Sequence, residues 1–275
     1  MLNLLSPALF TNHRGQSKAD APSPAIWSRV KGEAVSPDGT EAMVGVISNL
    51  QGGGGSVTGN TSSSLGGTGL QGVGRAASRR ITSLADGGGV RLRANGNGTG
   101  NAVLVSGGDV GGIGQLSLSK VTAFEAHLTF TESASNAILA AVGVTEPAIS
   151  AANKLTDGNG SPNSDFVGFV VEENSTIEFV YQTGNGAKTT VAGLSQAITS
   201  GTGYKVGFVI DPNSAEERLR VYLNGALVAS KSKADLDADV NWPDDTNFCA
   251  VAGVRGNATG DQDCAVKFLH CIQVG

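Results

Sequence analysis

Over residues 113–274 the chain repeats one pattern, short apolar runs closed by turn residues, with no amphipathic helix of any length between them. Phe124, Ala126, Leu128 and Phe130 alternate with Glu125, His127 and Thr129, which at period two makes a strand with one apolar and one polar face. Residues 138–144, 166–171 and 176–181 read as further strands, some buried on both faces. Residues 204–211 run into a turn at Pro212, Asn213 and Ser214, and residues 218–223 then meet Asn224-Gly225 and continue as 226–229. Asn-Gly between two apolar runs signals a tight hairpin, because both residues tolerate positive φ. Residues 248–252 and 266–274 complete the series. Strands with no long helix to cover them must cover one another. The expectation is an all-β, antiparallel two-sheet sandwich over residues 113–275, with a start that could move back to about residue 75–90.

What precedes the sandwich is different in kind. Residues 1–50 hold Pro7, Pro22, Pro24 and Pro37, a lone Trp27 and an apolar cluster that includes Val44 and Ile47. Frequent proline limits regular helix, and spaced apolar anchors suit an extended docking arm. A tail, or a short strand or helix packed on the chain's own sandwich, are the other readings. Residues 42–74 contain no Asp, Glu, Lys or Arg. From Gly52 to Gly114 there are 21 glycines in 63 residues, without the three-residue period of collagen. So little apolar surface cannot offset the chain entropy of a free domain, and residues 51–112 are expected to anchor or link. Arg75, Arg79 and Arg80, with Arg91 and Arg93, face only Asp86 locally. Such a cluster meets an acidic protein or nucleic acid, or pairs within the chain. Arg75, Arg79 and Arg80 join Trp27, Val44 and Ile47 as candidate assembly contacts. A formal GxGxxG at residues 67–72 lacks the hydrophobic strand that must feed a dinucleotide site.

Charge and cysteine content narrow the partners. A net charge of -5 argues against duplex nucleic acid, which needs a concentrated positive surface. Cys249, Cys264 and Cys271, an odd count in a long chain, read as buried thiols in C-terminal strands, with a disulfide between two of them as the alternative. The first residues lack the basic and apolar regions of a signal peptide, and no run approaches the ~20 apolar residues that span a bilayer. The expectation is a protein made in a cytoplasm, without a membrane partner.

Residues 204–211, followed by Leu219-Arg-Val-Tyr-Leu-Asn-Gly-Ala-Leu-Val228, resemble the strand, turn and YLNG hairpin of concanavalin A-like (laminin-G-like) jelly-roll domains. The resemblance covers about residues 90–275. It implies a jelly-roll sandwich in which a C-terminal strand pairs beside the first. Coupled to an uncharged Gly-rich extension, it is similar to virion proteins of tailed bacteriophages. That likeness implies a non-enzymatic virion structural protein, such as a capsid decoration, head fibre or tail-fibre component, made in the host cytoplasm. It would dock on other virion proteins through its N-terminal region, as a homo-oligomer such as a trimer.

The alternative is a receptor- or glycan-binding module. A lectin site joins an aromatic ring to Asp and Asn side chains, sometimes ordered by calcium. The loop at residues 235–247 offers Trp242 with Asp244, Asp245 and Asn247, beside Asp237 and Asp239, and a second loop offers Asp157 and Asn159. Calcium rests on composition alone, because Asp235-x-Asp237-x-Asp239 lacks the Gly and Glu of an EF-hand loop; otherwise no cofactor is expected. A glycoside hydrolase or lyase has less to stand on. The Glu-x-Asp-x-x-Glu arrangement of such folds is missing, adjacent Glu172 and Glu173 would point to opposite strand faces, and His13, His127 and His270 are dispersed.

Overall fold

A computed structural model describes residues 43–49, 63–65, 70–75, 80–84, 89–94, 101–106, 116–132, 139–145, 165–171, 176–184, 187–243, 247–255 and 262–274. In chain order the elements are β1 (Met43–Asn49), β2 (Ser63–Leu65), β3 (Leu70–Arg75), β4 (Arg80–Ser83), β5 (Val90–Ala94) and β6 (Asn101–Ser106). The series continues with β7 (Val121–Glu132), β8 (Leu139–Thr145), β9 (Phe166–Val171), β10 (Thr176–Gln182), β11 (Thr189–Thr190) and β12 (Gln196–Ala197). It ends with β13 (Gly203–Ile210), β14 (Leu219–Leu223), β15 (Ala226–Lys231), the short helix α1 (Lys233–Asp237), β16 (Cys249–Arg255) and β17 (Gln262–Val274).

These strands form an antiparallel two-sheet jelly-roll sandwich. One sheet runs β15-β14-β13-β7-β17-β5-β4, with β1 also on β17; the other runs β11-β10-β9-β8-β16-β6-β3-β2, with β12 also on β10. The expected alternation of β7 holds on the inward face, where Phe124, Ala126, Leu128 and Phe130 enter the core. Phe124 stacks on Phe208 of β13 at 5.1 Å, and Phe169 of β9 meets Phe179 of β10 edge-on at 5.0 Å. Phe179 and Phe208, 5.6 Å apart, join the two sheets. Each such aromatic pair adds about 0.5–1.5 kcal/mol to the area it buries.

The other face of β7 departs from expectation. Glu125 and His127 are 0% and 7% exposed, so the polar face is buried as well. His270 of β17 lies opposite Glu125, and Phe268 stacks on His270 at 4.7 Å and meets His127 edge-on at 5.9 Å. Two of the three histidines are therefore brought together rather than dispersed. Pairing of strands 143 positions apart does this, and no local pattern reports it.

The sandwich also begins far earlier than residue 113. β1, inside the expected arm, pairs along Phe268–Val274 positions of β17, with Met43 opposite Val274 and Asn49 opposite Phe268. Within the Gly-rich segment, β4 and β5 extend the first sheet while β2, β3 and β6 extend the second. The surrounding glycines do not prevent pairing, and Ile81, Val90, Leu92 and Ala94 of β4 and β5 are buried in the core. β5 and β1 share one edge of β17, β5 taking Gln262 to Val266 and β1 taking the rest. At the junction β17 carries a register irregularity against β7, and Gly89 passes so close that a Cβ there would lie 2.5 Å from the Val266 carbonyl oxygen.

The expected arginine cluster is divided. Arg75 ends β3 in one sheet, Arg80 begins β4 in the other, and Arg79 lies outside the described residues. On β5 Arg91 is exposed, and the Arg93 Nε is 3.5 Å from Asp263. Leu70 to Gly72, the end of the GxGxxG, lie in β3 and open no helix. The three cysteines are free and buried. Trp27 lies outside the described residues. No helix among the described residues is long and apolar enough to cross a membrane.

Candidate functional site: a cleft at one end of the sandwich

The cleft is built on the short segment that follows β15. Ser232 caps α1: its hydroxyl oxygen accepts the Asp235 backbone N–H at 3.1 Å, and the Asp235 carboxylate accepts the Ser232 N–H at 3.3 Å. That reciprocal pair satisfies two donors that a helix start otherwise leaves open. The turn continues through the Asp239 N–H to the Leu236 carbonyl at 3.1 Å and the Trp242 N–H to the Asp239 carbonyl at 3.0 Å. Leu236, fully buried, and Trp242, 8% exposed, are the two apolar pegs that fasten the segment to the core. A helix of five residues could not persist in water without them.

Around these pegs lies a cavity of about 470 Å³, whose lining includes Ser119, Arg218, Asp237, Asp239, Val240 and Trp242. Ser119 comes from the turn before β7 and Arg218 from the turn before β14. The Trp242 ring meets Tyr181 edge-on at 5.1 Å, and the Arg218 guanidinium lies 5.9 Å from its centroid. Arg218 Nη1 donates to Asp237 Oδ1 at 2.5 Å, and Lys233 Nζ donates to Asp237 Oδ2. Asp239 Oδ2 accepts from the Tyr181 hydroxyl at 2.7 Å and from Thr189 Oγ1 at 3.0 Å, while its Oδ1 accepts the Asn241 N–H at 3.0 Å. Among the described residues, two buried donors of these side chains have no acceptor, Trp242 Nε1–H and Arg218 Nε–H. Val240 stands 89% exposed at the rim.

These contacts set the protonation states. The hydrogen bond from Lys233 holds Asp237 below the usual carboxylate range, aided by the charge of Arg218. At Asp239 burial pushes the carboxyl upward, but the bonds from Asn241, Tyr181 and Thr189 together outweigh it and the net shift is down. Tyr181 moves the other way, first through burial and then through its bond to Asp239. At neutral pH the cleft therefore holds two carboxylates and a protonated phenol.

Of the residues singled out from sequence, Trp242 is at this cleft but buried, a wall of the pocket and not an exposed platform. Asn247 is exposed just before β16. Asp157, Asn159, Asp244 and Asp245 lie outside the described residues. Asp165, from the second polar loop, is 3% exposed and accepts the Gly184 N–H, so it serves as a brace between loops. Val44 and Ile47 fall in β1. Sequence reading missed Arg218, Ser119 and Val240; Arg218 reaches Asp237 across 19 positions and an intervening hairpin. For calcium, among the described residues no group of three or more His, Cys, Asp or Glu is placed to hold a metal.

No protein family and no curated protein matches this sequence. Solved structures do. A protein of unknown function from Shewanella oneidensis MR-1 superposes with a TM-score of 0.54 at 12% identity, over 92% of this chain and 95% of that one. The carbohydrate recognition domain of Emp47p gives 0.48 at 12% identity, over 84% of this chain and 95% of that one. The family 7 alginate lyase A1-II′ gives 0.48 at 13% identity, over 70% and 83%. The likeness is one of fold.

Proposed function

We propose that the chain is a non-enzymatic, glycan-binding β-sandwich module whose site is the end cleft. The observation that carries this reading is the lining itself: a guanidinium, two carboxylates and a hydroxyl gathered round a buried indole in a cavity of about 470 Å³. Pockets of a few hundred Å³ that pair apolar walls with a few converging polar groups are the usual form of small-ligand sites. Sugars present that mixture in return, with C–H faces for the indole and Val240, and hydroxyls for the charged groups. Binding without chemistry fits the protonation states, since a general acid needs a carboxyl held up near the working pH and both aspartates are held down. Full-length protein applied to an immobilised panel of glycans is expected to bind at least one saturably, without cleaving it. Absence of binding across the panel, or cleavage of a bound glycan, overturns the reading.

The setting we propose is a virion surface, where the module is displayed as a structural component, a homotrimer docked on other virion proteins. The sequence resemblance and the uncharged Gly-rich N-terminal region support this setting. Because β1 already pairs with β17 of its own chain, the docking would fall to residues before Met43. Deleting residues 1–42 is expected to remove the protein from particles while leaving glycan binding intact. Unchanged incorporation overturns the setting alone.

A further inference from the structure

We infer that residues 22–42 lie across the outer face of the first sheet, fastened there by Ile26 and Trp27. The inference stands apart from the glycan-binding reading, and it leaves residues 1–21 for the docking proposed above. It starts from the alternation of the strands. Phe124 and Ala126 of β7, Phe208 of β13, Val221 of β14 and Leu269 and Cys271 of β17 belong to the core between the sheets. Their alternates point to the opposite side of the sheet. In an antiparallel sandwich that outer side commonly meets water and reads polar. Here Ala123, Glu125, Val209, Arg220, Phe268 and Ile272 are all 2% exposed or less. Among the described residues nothing packs across them, since every strand lies within one of the two sheets and α1 closes one end of the sandwich. The cover is therefore a stretch of chain outside the described residues.

Topology selects the stretch. Residues 76–79, 95–100, 107–115, 133–138 and 256–261 each link strands of different sheets, and 85–88 turn between β4 and β5 at the far edge of the first. The outer face of the second sheet is buried as well, at Phe166, Val170 and Val251, and 146–164 leave and re-enter that sheet at β8 and β9. Residues 50–62 leave the first sheet for β2, but they hold five glycines and only Leu50 and Val57 as large apolar side chains. That is too little to seal such a face. The N-terminal stretch meets the need. It enters β1 at Met43, opposite Val274, beside the strand that carries Phe268 and Ile272. Pro24-Ala-Ile-Trp27, followed by Val30 and Val35, supplies the apolar side chains, the indole above all. Reach is sufficient. Extended chain from Trp27 to Met43 spans up to about 50 Å, whereas β1 to β14 is four strand spacings, roughly 20 Å.

Photo-crosslinking of the full-length protein reads the contact. Trp27→p-benzoylphenylalanine keeps an aromatic ring at the anchor, and on irradiation its ketone joins to whatever C–H lies against it. The expected result is a crosslink within one chain, mapped by mass spectrometry to β7, β13, β14 or β17. A crosslink to β8, β9, β10 or β16, or to a second copy of the chain, overturns the inference. Irradiation that yields no crosslink overturns it too. Ile26→Ser combined with Trp27→Ser removes both anchors. That variant is expected to brighten a dye that binds exposed apolar surface and to melt several degrees lower than the wild type. Dye emission and melting unchanged from the wild type overturn the inference. Should the double variant fail to fold, the crosslink, made in a chain that keeps its aromatic anchor, decides alone.

Discussion

Asn224 and Gly225 have φ of 51° and 81°, the paired left-handed conformations of the two-residue hairpin that the Asn-Gly signal calls for. The Asn224 side chain also accepts the Lys205 N–H at 2.9 Å, while its own N–H donates to the Lys205 carbonyl at 2.7 Å, so the turn is tied to β13 as well. Gly225→Val puts a β-branched residue at positive φ and should cost on the order of 1–3 kcal/mol in urea denaturation. An unchanged midpoint would show that the turn adapts. Asp239 makes a second prediction. Its carboxyl titrates lower in the folded chain than in the unfolded one, so its contribution is complete above the ordinary carboxylate value, about pH 4, and is lost as pH falls through the depressed folded value. A pH series of melting temperatures should show this acid loss, and Asp239→Asn should flatten it. An identical acid limb in the variant would assign the loss to other carboxylates.

At the scale of elements, β8 and β9 meet through an opposed glycine pair, Gly143 and Gly168. A Cβ at Gly143 would lie 2.3 Å from the Val167 carbonyl oxygen, and one at Gly168 would lie 2.4 Å from that of Val142. Both obstacles are backbone, so no side-chain rotation relieves them. Gly143→Ala and Gly168→Ala should each destabilise by about 1–3 kcal/mol, read by chemical denaturation. Wild-type stability in either variant would mean that the strands part easily. Elements of this kind were legible where side chains carry the signal. Phe166–Val171 is the strand read from its apolar run, and β10, β13, β14 and β17 fall within a few residues of expectation. β1 to β6 were not, because they are short runs set among Gly-rich stretches and find their places by pairing to strands far away in sequence, which no local pattern reports. The cleft was half legible. Trp242, Asp237 and Asp239 lie on one acidic loop, whereas Arg218 and Ser119 arrive there only through the sandwich topology.

For the whole molecule, the early strands are part of both sheets, so a chain starting at Val90 should not behave as a minimal domain. It would lack β1 to β4 and bare one edge of β6 and half an edge of β17. Open edges invite intermolecular pairing. Such a chain should melt lower than the full-length protein and aggregate at concentrations where the latter stays monodisperse. Equal melting and solubility would show β1 to β4 to be dispensable. The order of the strands also sets a clock. β16 lies between β8 and β6, and β17 lies between β7 and the pair β5 and β1, so the middle of each sheet is supplied by the last of the described strands to leave the ribosome. Until β16 has been made, β6 and β8 each lack a partner, and until β17 has been made, β7, β5 and β1 do, so these strands wait with an exposed flank during synthesis. Nascent chains arrested after residue 248 should therefore be protease-sensitive and chaperone-bound, with compaction appearing in one step once β17 is free.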